Sequence, residues 1–149
     1  MSEVVQEHTL SNGSHTAPEG EPNGAGWRIG MDHAAVTTRD LKSSIAFYGD
    51  VLGLRLRIIE DDPVRVGRKR AMLCDVTGRD VVELIEMPEL AHPSIPGRGA
   101  IHHLGFRMPA RDWHALRARL DSDRYPYDQV EQRLFLRDAD GLILEIEQS

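Results

Sequence analysis

The chain has 149 residues, a net charge of −6 at neutral pH and one cysteine, Cys74. The length suits a single domain with a proper core, and the negative charge argues against a general binder of nucleic acids or membrane surfaces. One cysteine excludes an internal disulfide framework and favours a reducing compartment, so we expect a cytoplasmic protein with Cys74 buried and unreactive. No apolar run is long enough for a membrane span, and the first residues lack a signal-peptide core.

Residues 1–26 are rich in Gly, Ser, Pro, Asn and Glu and poor in large apolar side chains. Such a segment cannot bury enough apolar surface to offset the entropy lost on ordering, which predicts a flexible tail. The folded domain is predicted to begin near Trp27 and to cover residues 27–149.

The first part of this domain, about residues 27–87, predicts the element order β-α-β-β-β. Asp40 is a good helix N-cap, apolar residues follow it at helical spacing, and Gly53 ends the helix. Asp61-Asp62-Pro63 and Thr77-Gly78 supply turns between strands. The four predicted strands cover residues 29–37, 54–60, 69–76 and 80–86.

A linker rich in proline and glycine, residues 88–99, precedes a second module over about residues 100–149. Pro109 opens a helix with Trp113, Leu116 and Leu120 on one face, and Asp140-Gly141 predicts a tight hairpin turn. The four strands predicted here cover residues 101–108, 125–130, 133–137 and 142–147. The repeated order predicts an α+β fold in which two βαβββ modules form a curved mixed sheet, a cup with helices outside.

One histidine near the start and one glutamate near the end of each module lie in otherwise apolar strand-like segments: His33, Glu83, His103 and Glu145. An unpaired charge in such a strand would be costly to bury. Because strand side chains alternate between faces, the apolar neighbours can pack under a helix while these four residues face the other way. The same alternation selects His103 over His102.

Each of the four residues taken alone has an ordinary explanation as a core or surface residue. Their repetition in two copies instead favours a metal site. Two neutral imidazoles and two carboxylates nearly neutralise a divalent ion, and mixed nitrogen and oxygen ligands suit Ni, Co, Mn, Fe or Zn.

The chain resembles the vicinal oxygen chelate superfamily, which includes glyoxalase I, methylmalonyl-CoA epimerase, extradiol dioxygenases, and fosfomycin- and bleomycin-resistance proteins. The resemblance covers about Trp27 to the C-terminus. It rests on Met31-Asp32-His33, Asp40-Leu41, Phe47-Tyr48 to Leu52-Gly53-Leu54, Val82-Glu83-Leu84, Ile101-His102-His103-Leu104, and Asp138-Ala139-Asp140-Gly141 to Leu144-Glu145.

The resemblance implies one divalent metal ion bound by His33, Glu83, His103 and Glu145, and a homodimer as the usual form. Whether one chain closes the site or two chains each supply half of it stays open. The activity implied first is a metal-dependent lyase or isomerase acting on a small oxygenated metabolite through an enediolate-type intermediate. Glu145, and after it Glu83, would move the proton.

Two other functions are compatible with the resemblance: an extradiol-type dioxygenase with Fe(II) at His33, His103 and Glu145, and a resistance protein that binds a drug without chemistry. The nearest activities do not fit fully. Thr37 and Met87 occupy places where glyoxalase I carries an Arg and an Asn, and residues 70–73 lack the glutamate base of the epimerases.

Two arginines are candidates for holding an anionic substrate. Arg70 is predicted to lie on the third strand of the first module. Arg107 has the strand parity of His103, although an exposed salt bridge explains Arg107 equally well.

Overall fold

A computed structural model describes residues 30–90, 92–95 and 101–149. Within these residues the element order β-α-β-β-β occurs twice, as predicted. The elements are β1 (Ala34–Thr38), α1 (Leu41–Leu52), β2 (Arg55–Asp61), β3 (Lys69–Cys74), β4 (Asp80–Glu86), β5 (His103–Met108), α2 (Ala110–Ser122), β6 (Tyr127–Val130), β7 (Arg133–Arg137) and β8 (Ile143–Gln148). The predicted tail, residues 1–26, and part of the predicted linker lie outside the described residues.

Each module forms its own four-stranded mixed sheet. The strand orders are β1-β4-β3-β2 and β5-β8-β7-β6. The outer pairs β1–β4 and β5–β8 are parallel, whereas the remaining neighbours are antiparallel. The predicted α+β class with two βαβββ modules is therefore confirmed.

Helix α1 forms where capping and apolar spacing predict it. The Asp40 carboxylate accepts a hydrogen bond from the Ser43 N–H at 3.1 Å, and Gly53 ends the helix with φ 67°. Leu41, Tyr48 and Val51 form its buried face, which packs mainly on β3 and β4.

Helix α2 begins after Pro109 and buries the three residues predicted for its inner face, Trp113, Leu116 and Leu120. The Trp113 indole N–H donates to the Ile146 carbonyl at 3.0 Å, which ties the helix to β8. Neither helix of the described residues is long and apolar enough to cross a membrane.

Four predicted strands are shorter than expected: β1, β3, β5 and β6, of which β5 and β6 each start two residues late. Among the described residues of the first strand, pairing starts at Ala34, opposite Val82, so His33 immediately precedes β1. Strand β3 ends at Cys74 because the Asp75 carboxylate accepts hydrogen bonds from the N–H groups of Thr77 and Arg79 and forms the turn. Cys74 itself is buried, as predicted.

The turn between β7 and β8 is larger than the predicted two-residue turn. The Asp138 N–H donates to the Leu142 carbonyl at 2.9 Å, and the Gly141 N–H donates to the Asp138 carbonyl at 3.1 Å. The Asp138 carboxylate then accepts from the N–H groups of Asp140 and Leu142. This wider turn brings two carboxylates toward the first module.

These two carboxylates join the modules through two buried hydrogen bonds to α1 and a part-buried one to Arg39, just before the helix. Tyr48 is fully buried, and its hydroxyl donates to Asp138 Oδ2 at 2.8 Å. The Ser44 hydroxyl donates to Asp140 at 3.3 Å, and the Arg39 N–H donates to Asp140 at 3.1 Å. One apolar cluster contains buried residues from both modules, Tyr48 among them.

Burial raises the pKa of Asp138 even though the Tyr48 hydroxyl and two backbone N–H groups favour its charged form. Because its pKa is higher in the folded than in the unfolded chain, folding favours the protonated carboxyl. The contribution of Asp138 to stability is therefore most favourable in acid and declines as the pH rises through its ordinary range toward the folded pKa.

Replacing Tyr48→Phe should lower the free energy of unfolding by about 1–3 kcal/mol near pH 7, because the buried Asp138 carboxylate loses a charge-assisted donor. The loss should shrink in acid, where Asp138 is protonated. Urea unfolding at several pH values measures it.

Tyr127→Phe is the matched control, because the Tyr127 hydroxyl also donates to an aspartate, Asp121, but in an exposed position. Its loss should be within about 0.5 kcal/mol. Equal losses for the two variants would contradict the importance of the buried junction.

Candidate active site

The first predicted pair lies on the face of its sheet away from the helix, here called the open face. His33 lies two residues before Ala35, which pairs with Glu83 across the parallel strands. The His33 Nε2 atom lies 3.3 Å from Glu83 Oε2. On the other side of the ring, the Asp32 carboxylate contacts Nδ1 at 2.8 Å.

The second predicted pair repeats this geometry. His103 lies two residues before Gly105, which pairs with Glu145. The His103 Nε2 atom lies 2.9 Å from Glu145 Oε2, and its Nδ1 lies 2.9 Å from Nδ1 of His102. The structure thus places His103, rather than His102, beside the glutamate, as strand parity predicts.

In both modules the residue that directly precedes the histidine contacts the Nδ1 atom of that histidine through its side chain. A partner at one ring nitrogen sets the orientation of the imidazole and directs the other nitrogen toward its ligand. Sequence reasoning gave Asp32 no such role and selected His103 over His102. The available signal was position, since each residue comes immediately before a candidate ligand.

An arginine contacts the second oxygen of each glutamate. Arg70 donates from Nη1 to Glu83 Oε1 at 3.0 Å, and Arg133 Nε lies 3.2 Å from Glu145 Oε1. Each arginine lies two residues before the β3 or β7 residue that pairs with its glutamate. A His–Glu–Arg set therefore occurs twice in one register. Arg70 was predicted as a site residue, but Arg133 was missed because only the strand pairing makes the two equivalent.

The other predicted arginine, Arg107, lies on the open face of β5 but pairs with a different carboxylate. Its Nη2 donates to Glu147 at 2.9 Å, and its side chain is 70% exposed. Arg107 lowers the pKa of Glu147. The salt bridge anticipated as the alternative is thus present, and a role for Arg107 in binding substrate stays a prediction.

Charge around the two pairs is unequal. In the first module the Asp32 hydrogen bond, helped by Glu83, raises the pKa of His33.

The groups linked to the two pairs comprise five carboxylates and three guanidinium groups: Asp32, Glu60, Glu83, Glu145, Glu147, Arg70, Arg107 and Arg133. With neutral imidazoles these leave two negative charges, which match one divalent cation.

The open faces leave room above each pair. The residues opposite the two glutamates are small, Ala35 and Gly105, and nothing lies within 4 Å of a Cβ placed on Gly105. The second module also has a cavity of about 410 Å³, lined by residues including Phe135, Arg137 and Ile143 but not by His103 or Glu145.

The four predicted ligands do not gather in one chain. Across the described ranges 30–90, 92–95 and 101–149, no three His, Cys, Asp or Glu side chains form a group that could hold a metal ion. Each module instead offers one imidazole nitrogen and one carboxylate oxygen. The structure therefore contains two His–Glu pairs in equivalent positions, one in each module.

Two βαβββ modules that each present a His–Glu pair on an open sheet define a duplicated ligand-binding fold. A family model for the Glyoxalase/Bleomycin resistance protein/Dioxygenase superfamily matches residues 30–146. The chain belongs to this superfamily. No curated protein matches the chain significantly.

Solved structures share the fold at low sequence identity. A glyoxylase/bleomycin resistance protein/dioxygenase domain from Frankia sp. EAN1pec is 22% identical with a TM-score of 0.68, covering 83% of this chain and 93% of that one. The fosfomycin resistance protein FosX from Listeria monocytogenes, with Mn(II) and sulfate, is 15% identical with a TM-score of 0.63, covering 83% and 94%. The trypanothione-dependent glyoxalase I of Leishmania major is 22% identical with a TM-score of 0.64, covering 81% and 87%.

Replacing Asp32→Asn should lower the pKa of His33 in the metal-free protein, because the substitution removes the hydrogen-bonded carboxylate that favours the imidazolium. An NMR titration of the labelled histidine side chains measures this pKa. Asp61→Asn is the control, because Asp61 is an exposed carboxylate that pairs with Lys69. If Asp32→Asn left the titration of His33 unchanged, the orienting role of Asp32 would be wrong.

Proposed function

We propose that this chain is a metal-dependent lyase or isomerase of the glyoxalase type, acting on a small oxygenated metabolite through an enediolate-type intermediate. The observation that carries the proposal is the repeated pair. His Nε2 and Glu Oε2 lie 3.3 Å apart in one module and 2.9 Å apart in the other, in the same strand register. The single buried Cys74 agrees with a cytoplasmic location.

The donor set fits a divalent ion held by His33, Glu83, His103 and Glu145. Imidazole nitrogen and carboxylate oxygen together suit Ni, Co, Mn, Fe or Zn, and the surrounding charge agrees with a dication. An ion bound there would act as a Lewis acid and stabilise negative charge that develops on the substrate. The Listeria neighbour holds Mn(II), but at 15% identity its likeness supports the fold alone, so the proposal depends on this chain's own residues.

A second copy of the chain completes the site in this proposal. One chain would supply His33 and Glu83, and the other would supply His103 and Glu145. Each chain carries two half-sites of the same composition, and no group of three ligands occurs among the described residues. Both observations support a homodimer with two shared sites.

Glu145 is the first candidate for moving the substrate proton, and Glu83 the second. Arg70 binds Glu83 through a hydrogen bond of 3.0 Å, and the Glu83 side chain is 11% exposed. Glu145 is more open, with 19% of its side chain exposed, and its arginine contact is longer at 3.2 Å. A carboxylate with a less occupied oxygen is better able to accept a proton.

The proposal predicts that the purified protein takes up one divalent ion per chain. His103→Ala should weaken uptake by more than the ~10–100-fold that loss of an outer partner costs, because it removes a ligand. Metal analysis and calorimetric titration with Ni, Co, Mn, Fe and Zn measure this. His114→Ala is the matched control, since His114 lies exposed on α2 against Trp113. Protein that holds no metal, and gains none, would contradict the proposal.

Assays of the metal-loaded protein separate the reaction classes. The proposed class predicts metal-dependent proton exchange or isomerisation next to a carbonyl, first assayed with the methylglyoxal–glutathione adduct. Oxygen-dependent catechol cleavage with Fe(II) would instead identify an extradiol dioxygenase. Tight binding of a drug without turnover would identify a resistance protein.

The shared site can be tested by mixing two inactive variants. Glu83→Gln breaks the first half-site and Glu145→Gln the second, so either homodimer has a defect in both sites. In a mixed dimer both substitutions fall in one of the two shared sites. The other site then has four unchanged ligands. We expect about half of the tight metal sites of a wild-type dimer to return in mixed dimers, measured by calorimetry.

The control mixture combines Glu83→Gln with His33→Ala. Both substitutions lie in the same half-site, so no intact site can form in any dimer. Equal metal binding in the two mixtures would show that the sites are not shared between chains.

A further inference from the structure

Three arginines lie near the glutamates, and they differ in how firmly each is held. Arg70 is fully engaged. Its Nε and Nη2 donate to Glu60 at 2.9 and 2.6 Å, and its Nη1 donates to Glu83 at 3.0 Å. These lengths are typical of charge-assisted hydrogen bonds. Arg70 therefore fixes Glu83 and has little capacity left for a ligand.

Arg107 pairs with a single carboxylate. Its Nη2 donates to Glu147 at 2.9 Å, a short charge-assisted bond, and most of its side chain faces solvent. It does not contact either glutamate of the two His–Glu pairs in the described residues. Arg107 therefore neutralises Glu147 at the margin of the open face.

Arg133 makes the longest contacts of the three. Its Nε lies 3.2 Å from Glu145 and its Nη2 lies 3.4 Å from Glu147. Both contacts exceed the usual length of a charge-assisted bond, and both carboxylates have a closer partner. Glu145 lies 2.9 Å from His103, and Glu147 lies 2.9 Å from Arg107. A substrate oxyanion can therefore bind the Arg133 guanidinium while Glu145 keeps its contact with His103 and Glu147 keeps its contact with Arg107.

We propose that Arg133 is the substrate-binding residue that selects a carboxylate arm of the substrate. This inference rests on the proposed function and narrows its substrate class to acids that carry a carboxylate besides the two neighbouring oxygens. The planar fork of a guanidinium matches a carboxylate. One guanidinium matches a singly charged arm better than a dianionic phosphate, because the carboxylates around it already balance one divalent ion.

The same sheet face offers space for the carbon skeleton. Phe135 pairs directly with Glu145, and Ile143 pairs with His103. Both also line the cavity of about 410 Å³ in the second module, whose lining does not include Arg133. Phe135 follows Arg133 by two residues on the same face of β7, so an acid held at Arg133 can place its apolar carbons along Phe135.

The test compares binding of two probes to metal-loaded protein by calorimetry. Alpha-ketoglutarate and alpha-ketovalerate share a five-carbon chain and the vicinal oxygens, but only the first has a distal carboxylate. Wild-type protein should bind alpha-ketoglutarate about tenfold or more tightly, the usual value of a charge-assisted bond. Arg133→Gln should abolish this preference, so that the ratio of the two dissociation constants falls to about one, whereas Arg133→Lys should keep part of it.

Arg57→Gln is the matched control. Arg57 pairs with Asp80, and its side chain is as exposed as that of Arg133, at 47%. This variant should keep the full preference. The inference is overturned if wild-type protein binds metal but does not distinguish the probes, if Arg133→Gln keeps the preference, or if Arg57→Gln loses it. If wild-type protein binds no divalent ion, the proposed function fails and this inference fails with it.

Discussion

The hydrogen-bonded register of two parallel strand pairs determines the chemistry of this molecule. In each module the first and last strands are neighbours although a helix and two strands separate them in the chain. Their pairing places a small residue, Ala35 or Gly105, directly opposite a glutamate. A histidine two residues earlier then falls on the same face as the glutamate. The contacts of Asp32, His102 and both arginines depend on that placement.

Much of the fold could be predicted because local signals and global order agree. The cap at Asp40, the stop at Gly53 and the apolar spacing of both helices each favour one structure, and the two halves repeat it. The strand ends were less predictable. They depend on which residues find a partner across the sheet, as at Ala34, and on local turns such as the one at Asp75, and neither appears in side-chain periodicity.

Some residues of the candidate site could likewise be predicted from the sequence, and others could not. Strand parity alone was sufficient to select His103, because alternation is a property of the backbone. Arg133 was not predictable, since its equivalence to Arg70 exists only across paired strands, and an arginine on an exposed strand is unremarkable in a sequence. The junction through Tyr48 and Asp138 was also hidden, because it joins residues 90 positions apart.

Because His102 and His103 are adjacent, a one-residue change in strand register would affect the two modules differently. A shift of β5 by one residue against β8 would turn His103 toward the helix and bring His102 to the open face. An imidazole would then still stand near Glu145. The same slip in the first module would replace His33 by Asp32, exchanging a nitrogen donor for an oxygen donor. The second module thus keeps its donor type through a register error, whereas the first module changes it.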